Sequence, residues 1–272
     1  MKLNNFWQRL FTGIGFVGII TASVVWSPLT CMALFLIINI FCLFEFYTLF
    51  GLNKLFSYSG MAYGSFIFIF VSLYAAGILP PGIILILIPV LFLLFIPIIF
   101  DHNPDLFRQF GLMLLGLLYI SIPLSLFVFS AFLSEQYLYN FHFILAALIL
   151  TWVNDTMAYV SGSLFGKHKF YEKLSPKKTW EGVAGGFIFT VLFSFVFYRF
   201  FPDVEWIHWF FIAMIVSVFA FIGDLFESRI KRGLNIKDSG NFFPGHGGFL
   251  DRFDALLFVI PFNVLYIFFI IY

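Results

Sequence analysis

The chain has 272 residues, 62% of them apolar and 11% charged, with a formal net charge of +1, whereas globular proteins average roughly 45–50% apolar and about 25% charged. Length alone allows one or two soluble domains, but this composition leaves too little polar surface to cover a water-facing globule, and it also excludes a disordered chain, a collagen and a disulfide scaffold. A net charge near zero gives no general attraction to nucleic acid, so any electrostatic function depends on where the few charges are placed.

A helix crosses the hydrocarbon core with about 20 apolar residues, and nine stretches have that length or nearly so. In chain order they run Leu10 to Trp26, Leu29 to Leu49, Tyr58 to Leu79, Gly82 to Phe100, Phe110 to Phe132, Phe141 to Val160, Val183 to Phe200, Ile207 to Ile222 and Ala255 to Ile271. Pro28, Pro80 and Pro81 separate neighbours. Pro89, Pro97 and Pro123 lie inside spans, where neighbouring helices tolerate kinks that would end a helix in water. The first stretch lacks a small-residue cleavage site and a second follows at once, so it reads as a retained span. Cys31 and Cys42 share one apolar run, where packing is a better reading than a disulfide. Glu45, near the end of the second span, reads as an interfacial acid.

The fold expected is an all-α, polytopic integral membrane protein. Residues 1–140 supply five spans, and residues 141–272 form a C-terminal transmembrane region, the expected seat of any chemistry, with polar loops at 161–182 and 223–254. Lys and Arg are retained on the cytoplasmic side of a bilayer. With nine spans and a cytoplasmic N-terminus, that side holds Lys2, Arg9, Lys54, Arg108, the five lysines from Lys167 to Lys178 and the five basic residues from Arg229 to Arg252, fourteen of the fifteen in the chain. Only Arg199 falls outside, at the very end of a span. Eight spans would put both basic loops on the wrong side of the N-terminal charges.

The two long loops hold most of the ionisable residues. In the second, Asp224, Glu227 and Ser228 are spaced i, i+3, i+4, so a helix continuing from the eighth span puts them on one face. Asp251 and Asp254 repeat the i, i+3 spacing at the start of the ninth. Two facing carboxylate pairs would make an oxygen-rich site for Mg²⁺, which takes one or two carboxylates and completes its shell with water and substrate phosphates. Ion pairing with Arg229, Arg232 and Arg252 is the alternative use of these acids. Pro244-Gly-His-Gly-Gly248 could bring backbone amides close to a phosphate; His246 there could donate to a phosphate oxygen or cap the turn. In the first loop, Ser175-Pro176 reads as an N-cap followed by proline at the first helical position, so a helix is expected to start there. Lys177, Lys178, Thr179 and Glu181 would then lie at a helix N-terminus, a place that favours an anionic phosphate. Asp155 and its neighbour Asn154, near the cytoplasmic end of the sixth span, are further polar candidates.

These residues resemble the signature of the phosphatidate cytidylyltransferase, or CDP-diacylglycerol synthase, family. Ser228, Lys231, Arg232, Lys237, Asp238, Gly240, Pro244, Gly245, His246, Gly247, Gly248, Asp251, Arg252 and Asp254 stand in its pattern, and Asp155 to Tyr159, Phe165-Gly166-Lys167 and Ser175 to Gly182 are similar to a second motif region. Ser163 departs from it, since an Arg is expected there. The resemblance is strong from about Thr151 onward and rests on hydropathy alone before that.

It implies an integral membrane enzyme that joins CTP and phosphatidate to give CDP-diacylglycerol and pyrophosphate, with Asp224 and Asp251 holding Mg²⁺, alone or with a monovalent ion such as K⁺. It further implies catalytic roles for Lys231, Arg232, Lys237, His246, Arg252 and Asp254, and substrate contacts from Asp155, Ser175, Lys177, Lys178, Thr179, Glu181, Ser228, Gly247 and Gly248. Membrane lipids are expected partners, nucleic acid is not, a homodimer is compatible, and the expected location is a bacterial inner membrane with the site facing the cytoplasm. A cytidylyltransferase for another lipid phosphate, such as an ether lipid, is an alternative. A transporter of anionic solutes fits less well, because it should carry broken helices and mid-membrane charges in both halves. No P-loop of the Gly-rich, Lys-Ser/Thr type is present.

The orientation predicts that a cysteine introduced at Asn241 resists a membrane-impermeant thiol reagent applied to sealed spheroplasts and reacts once the membrane is opened; efficient labelling of sealed cells would reverse the topology.

Overall fold

The structure is a computed structural model that describes residues 2–96, 105–133, 138–171, 174–236, 239–240 and 247–271. Its elements are α1 (Lys2–Trp26), α2 (Pro28–Leu49), α3 (Lys54–Ala75), the short α4 (Leu87–Phe92) between 3₁₀ turns at Pro81–Ile86 and Leu93–Phe95, α5 (Leu106–Phe132), α6 (His142–Phe165), α7 (Trp180–Phe200), α8 (Trp206–Gly233) and α9 (Leu250–Tyr266). Between α6 and α7 a two-stranded antiparallel ribbon pairs β1 (Lys169–Tyr171) with β2 (Ser175–Thr179). Among the described residues seven helices, α2, α3 and α5 to α9, are long and apolar enough to cross a bilayer. Thr12–Trp26 and Gly82–Phe95 are shorter apolar helices at the first and fourth expected spans. Phe35, Phe46, Trp209 and Phe253 are fully buried, yet Trp26, Leu29, Phe107, Leu164 and Phe269 are exposed. Helices apolar on every side suit lipid as the solvent, and the protein is an all-α integral membrane protein.

The chain divides into two units, Met1–Tyr139 with Ser239–Leu250, and Asn140–Asp238 with Asp251–Tyr272. In the first, Ser27 caps α2: its hydroxyl accepts the Thr30 N–H, the Thr30 hydroxyl accepts the Ser27 N–H, and Pro28 takes the first helical position, where no N–H is needed. Asn53 caps α3 through the Phe56 N–H, and its own N–H goes to Gln109 Oε1 on α5. Tyr47 is buried, and its hydroxyl donates to the Met113 carbonyl at 2.9 Å. Its ring fits because position 60 has no side chain; a Cβ there would stand 2.6 Å from the ring. In α5 the backbone widens to a π-type turn at Leu117–Ser121 just before Pro123, which lacks an N–H and would crowd the preceding turn of a regular helix. Cys31 and Cys42 are buried and not joined in a disulfide, as expected of packing residues.

Glu45 corrects the sequence reading. It is not an interfacial acid but a buried one, 8% exposed, and it accepts hydrogen bonds from the Ser239 hydroxyl and the Phe249 and Leu250 amides. A carboxylate held in an apolar bundle needs such donors, because the effective cost of burying an ion without them is several kcal/mol.

In the second unit α7 lies close against α6, since Gly182 and Gly186 present no side chain: a Cβ at Gly182 would come within 2.8 Å of the Ala158 carbonyl. Gly223 does the same for α8 against α9, with the Asp254 carbonyl 2.8 Å from its absent Cβ. Small residues are how membrane helices approach one another. The expected helix start at Ser175 is not found. Ser175–Thr179 is strand β2, with Lys169 opposite Thr179 and Tyr171 opposite Ser175, and α7 begins at Trp180 with Thr179 as its cap, accepting the Gly182 N–H at 3.2 Å. A residue before proline is driven toward extended backbone, and here the ribbon uses that preference at Ser175.

Candidate active site

The second unit contains a cavity of about 640 Å³, lined by the ends of α6, α8 and α9, the start of α7 and the ribbon. Each element delivers polar groups for a local reason. α8 runs past the expected eighth span to Gly233, which puts Asp224, Glu227 and Lys231 on one helical stripe. α9 starts at Leu250, so Asp251 and Asp254 both lie within its first turns. The cap at Thr179 fixes where the extended Ser175–Thr179 strand gives way to helix, and Ser175, Lys177, Lys178 and Thr179 all reach the lining.

Five acids line the cavity, Asp155, Asp224, Glu227, Asp251 and Asp254, and so do five cations, Lys169, Lys177, Lys178, Lys231 and Arg252. Their formal charges cancel. Lys231 bridges two helices: its Nζ is 2.5 Å from Glu227 Oε2 on its own helix and 2.8 Å from Asp251 Oδ1 on α9. The two acid side chains are only 1% and 7% exposed. Lys178 forms an ion pair with Asp224 and lies over the Phe221 ring, 5.1 Å from its centroid. The Ser228 hydroxyl donates to Asp224 Oδ1 at 3.4 Å, and Asp254 Oδ1 accepts the Ala255 N–H at 2.7 Å. Asn154 also lines the cavity, its Oδ1 3.5 Å from the buried Thr190 hydroxyl, which donates to the Gly186 carbonyl at 2.8 Å.

Not every expected residue lines this cavity. The Glu181 carboxylate faces away, pairing with His168 Nδ1 at 2.6 Å and accepting the His168 N–H. Arg232 is exposed and donates to the Ile236 carbonyl at 3.4 Å. Gly247 and Gly248 belong to the first unit, Gly248 against Glu45 and Gly247 at φ 81°, a backbone conformation suited to glycine. Lys237 and His246 lie outside the described residues. Sequence reasoning passed over Lys169, counted only as part of a basic loop, and Ser217 and Phe221, which sit in an apolar run.

The donor set is made of carboxylate oxygens, and among the described residues Glu227 Oε1 is buried without a hydrogen-bond partner. Hard oxygen ligands of this kind fit a hard divalent cation. Among the described residues no three His, Cys, Asp or Glu side chains form a cluster able to hold a metal by themselves; Mg²⁺ needs none, being held by one or two carboxylates plus substrate phosphates.

Residues 7–270 match the model of the cytidylyltransferase family. Three curated relatives bear the name phosphatidate cytidylyltransferase. That of Staphylococcus haemolyticus (strain JCSC1435) is 46% identical over 122 residues, 44% of this chain and 46% of its own length. That of Staphylococcus saprophyticus is 38% identical over 177 residues, 64% of this chain and 65% of the relative. That of Bacillus subtilis (strain 168) is 38% identical over 161 residues, 59% of each. The chain thus spans less than two thirds of the length of these relatives.

The Lys231 bridge makes a stability prediction. Lys231→Met leaves Glu227 and Asp251 buried without their cation, a loss of about 3–5 kcal/mol. In a double-mutant cycle the Glu227→Gln, Lys231→Met pair should cost clearly less than the sum of its parts, measured by thermal unfolding in detergent. Strict additivity would mean the bridge does not form.

Proposed function

The chain belongs to the cytidylyltransferase family, and on that premise we propose that it transfers the cytidylyl group of CTP to phosphatidate, giving CDP-diacylglycerol and pyrophosphate at the cytoplasmic face of a membrane. The observation that carries this reading is the charge-balanced cavity, where five acids and five cations gather at the ends of otherwise apolar helices. Intramembrane ionisable residues are costly and are kept for function. The curated relatives named above carry the same activity in their names.

In the proposed reaction an oxygen of the lipid phosphate forms a bond to the α-phosphorus of CTP, the bond from that phosphorus to the β-phosphate oxygen breaks, and pyrophosphate leaves. A phosphate monoester is largely anionic at neutral pH, its second pKa being about 6, so the nucleophile needs no dedicated base. The protein's work is then positioning and charge neutralisation. Asp224 and Asp251 are the proposed Mg²⁺ ligands, with Glu227 and Asp254 beside them. Bound Mg²⁺ would neutralise phosphate oxygens and stabilise the charge developing on the departing pyrophosphate. Lys178 and Lys231 are paired with Asp224, Glu227 and Asp251, and would be available to phosphate were those acids to hold Mg²⁺. Lys169, Lys177 and Arg252 supply further positive charge, Arg252 with a planar fork suited to bidentate phosphate contact. The Lys and Arg bias of the loops supports the cytoplasmic placement.

The test is a detergent assay with label in the cytidine moiety of CTP, following lipid-bound label and pyrophosphate in equal amounts. Asp224→Asn and Asp251→Asn keep side-chain shape but remove charge, so turnover should fall at least about a hundredfold and the Mg²⁺ requirement should move to higher concentration. Near-normal turnover of both variants at ordinary Mg²⁺ would remove these residues from the metal site, and no lipid-bound label from the unmodified protein would remove the reaction itself.

A further inference from the structure

Helix α2 carries a single charged residue, Glu45, in an otherwise apolar and neutral sequence. Three donors from one distant segment converge on its carboxylate. The Phe249 N–H reaches Oε1 at 2.9 Å, and the Leu250 N–H and Ser239 hydroxyl reach Oε2 at 2.8 and 3.2 Å. Two glycines let that segment close on the acid. A Cβ at Gly240 would stand 2.6 Å from Oε1, and one at Gly248 would collide with the carboxylate and with the Ser239 hydroxyl. One turn earlier on α2, the Phe41 ring stacks on Phe249, centroids 4.8 Å apart and planes within 7°. All of these residues belong to the first unit.

We infer that Glu45 is a positioning residue for the reaction: its carboxylate clamps both ends of the glycine-rich segment, 239–240 and 247–250, and so fixes the backbone that leads into Asp251. The inference rests on the proposed cytidylyl transfer. Phe249 and Leu250 stand at the start of α9, where the first backbone amides have no partner within the helix. A buried carboxylate is the acceptor that satisfies two of them and suits the positive end of the helix dipole. It also sets the spacing, because the two glycines approach the acid too closely for any other residue. The next residue in the chain is Asp251, whose carboxylate meets Lys231. Freedom in the 249–250 backbone therefore becomes freedom of the acid proposed to hold the metal, and displacements of about 1 Å at a reacting centre can cost on the order of a hundredfold in rate.

The test compares the full-length protein with Glu45→Gln, Glu45→Asp and Ser239→Ala, all in detergent. Gln places an NH₂ group against a backbone N–H, so it breaks one contact while keeping size. Two measurements are made on each: steady-state kinetics with CTP and phosphatidate both varied, and amide hydrogen exchange of residues 239–250. Glu45→Gln should lower kcat about tenfold or more, leave the KM for CTP within about threefold, and speed exchange at Phe249 and Leu250. Glu45→Asp, which keeps the charge on a shorter stem, should recover part of the kcat. If Glu45→Gln does not yield folded protein, Ser239→Ala, which deletes one donor, should show the same split at about threefold. Faster exchange with kcat within twofold of the parent overturns the positioning role, and unchanged exchange overturns the clamp. A parent protein that turns over neither substrate overturns the proposed reaction, while the exchange data still judge the clamp alone.

Discussion

Everything polar in this molecule is governed by the cost of placing charge in an apolar bundle. Lys231 answers that cost most directly: one ammonium, 2.5 and 2.8 Å from Glu227 and Asp251, pairs with acids from two helices at once. Lys178 does the same for Asp224. Removing Lys231 leaves two buried acids whose desolvation is no longer offset. The same constraint explains why the groups are clustered, since acids and cations that share one cavity stabilise each other and the remaining helix surface stays free for lipid. A cavity holding balanced charge in this form can also exchange partners. In the proposed reaction an incoming divalent cation would take the acids, and the lysines so released would meet the excess negative charge of the phosphates.

Much of the architecture was legible in the sequence, because a bilayer imposes a coarse and demanding pattern. Continuous apolar runs of the required length identify the long helices, and the i, i+3 spacing of Asp224 with Glu227 and of Asp251 with Asp254 puts those acids on helical stripes that the structure places around one cavity. The local errors have local causes. Ser175-Pro176 carries a helix-start pattern, but proline also favours extended backbone before it, and pairing with Lys169–Tyr171 makes the strand the better use of that preference. Thr179, four residues later, then takes the cap. Glu45 was misread because nothing near it in sequence reveals its partners: the donors come from about two hundred residues away. Lys169 was absorbed into a general count of loop lysines, since a positive-inside bias and a cavity contact require the same residue type.

Glycine has two separate uses here. Gly182, Gly186 and Gly223 let helices of the second unit approach closely enough to wall the cavity. Gly240 and Gly248 in the first unit instead let the 239–240 and 247–250 backbone close on a single carboxylate. Family membership covers residues 7–270, so both arrangements lie within the matched chain, and both concern the packing that holds charged groups in place.

The central claim is that the acids and lysines of this cavity receive a metal-bound nucleotide. The most direct measurement is thermal unfolding of the purified protein in detergent against increasing CTP, with and without Mg²⁺, because a ligand that binds only the folded state raises its stability with concentration. The account predicts a rise in unfolding temperature that requires Mg²⁺ and disappears when Asp224 and Asp251 are both replaced by Asn. An unfolding temperature indifferent to Mg²⁺ and CTP together, or an undiminished rise in the doubly substituted protein, would contradict it.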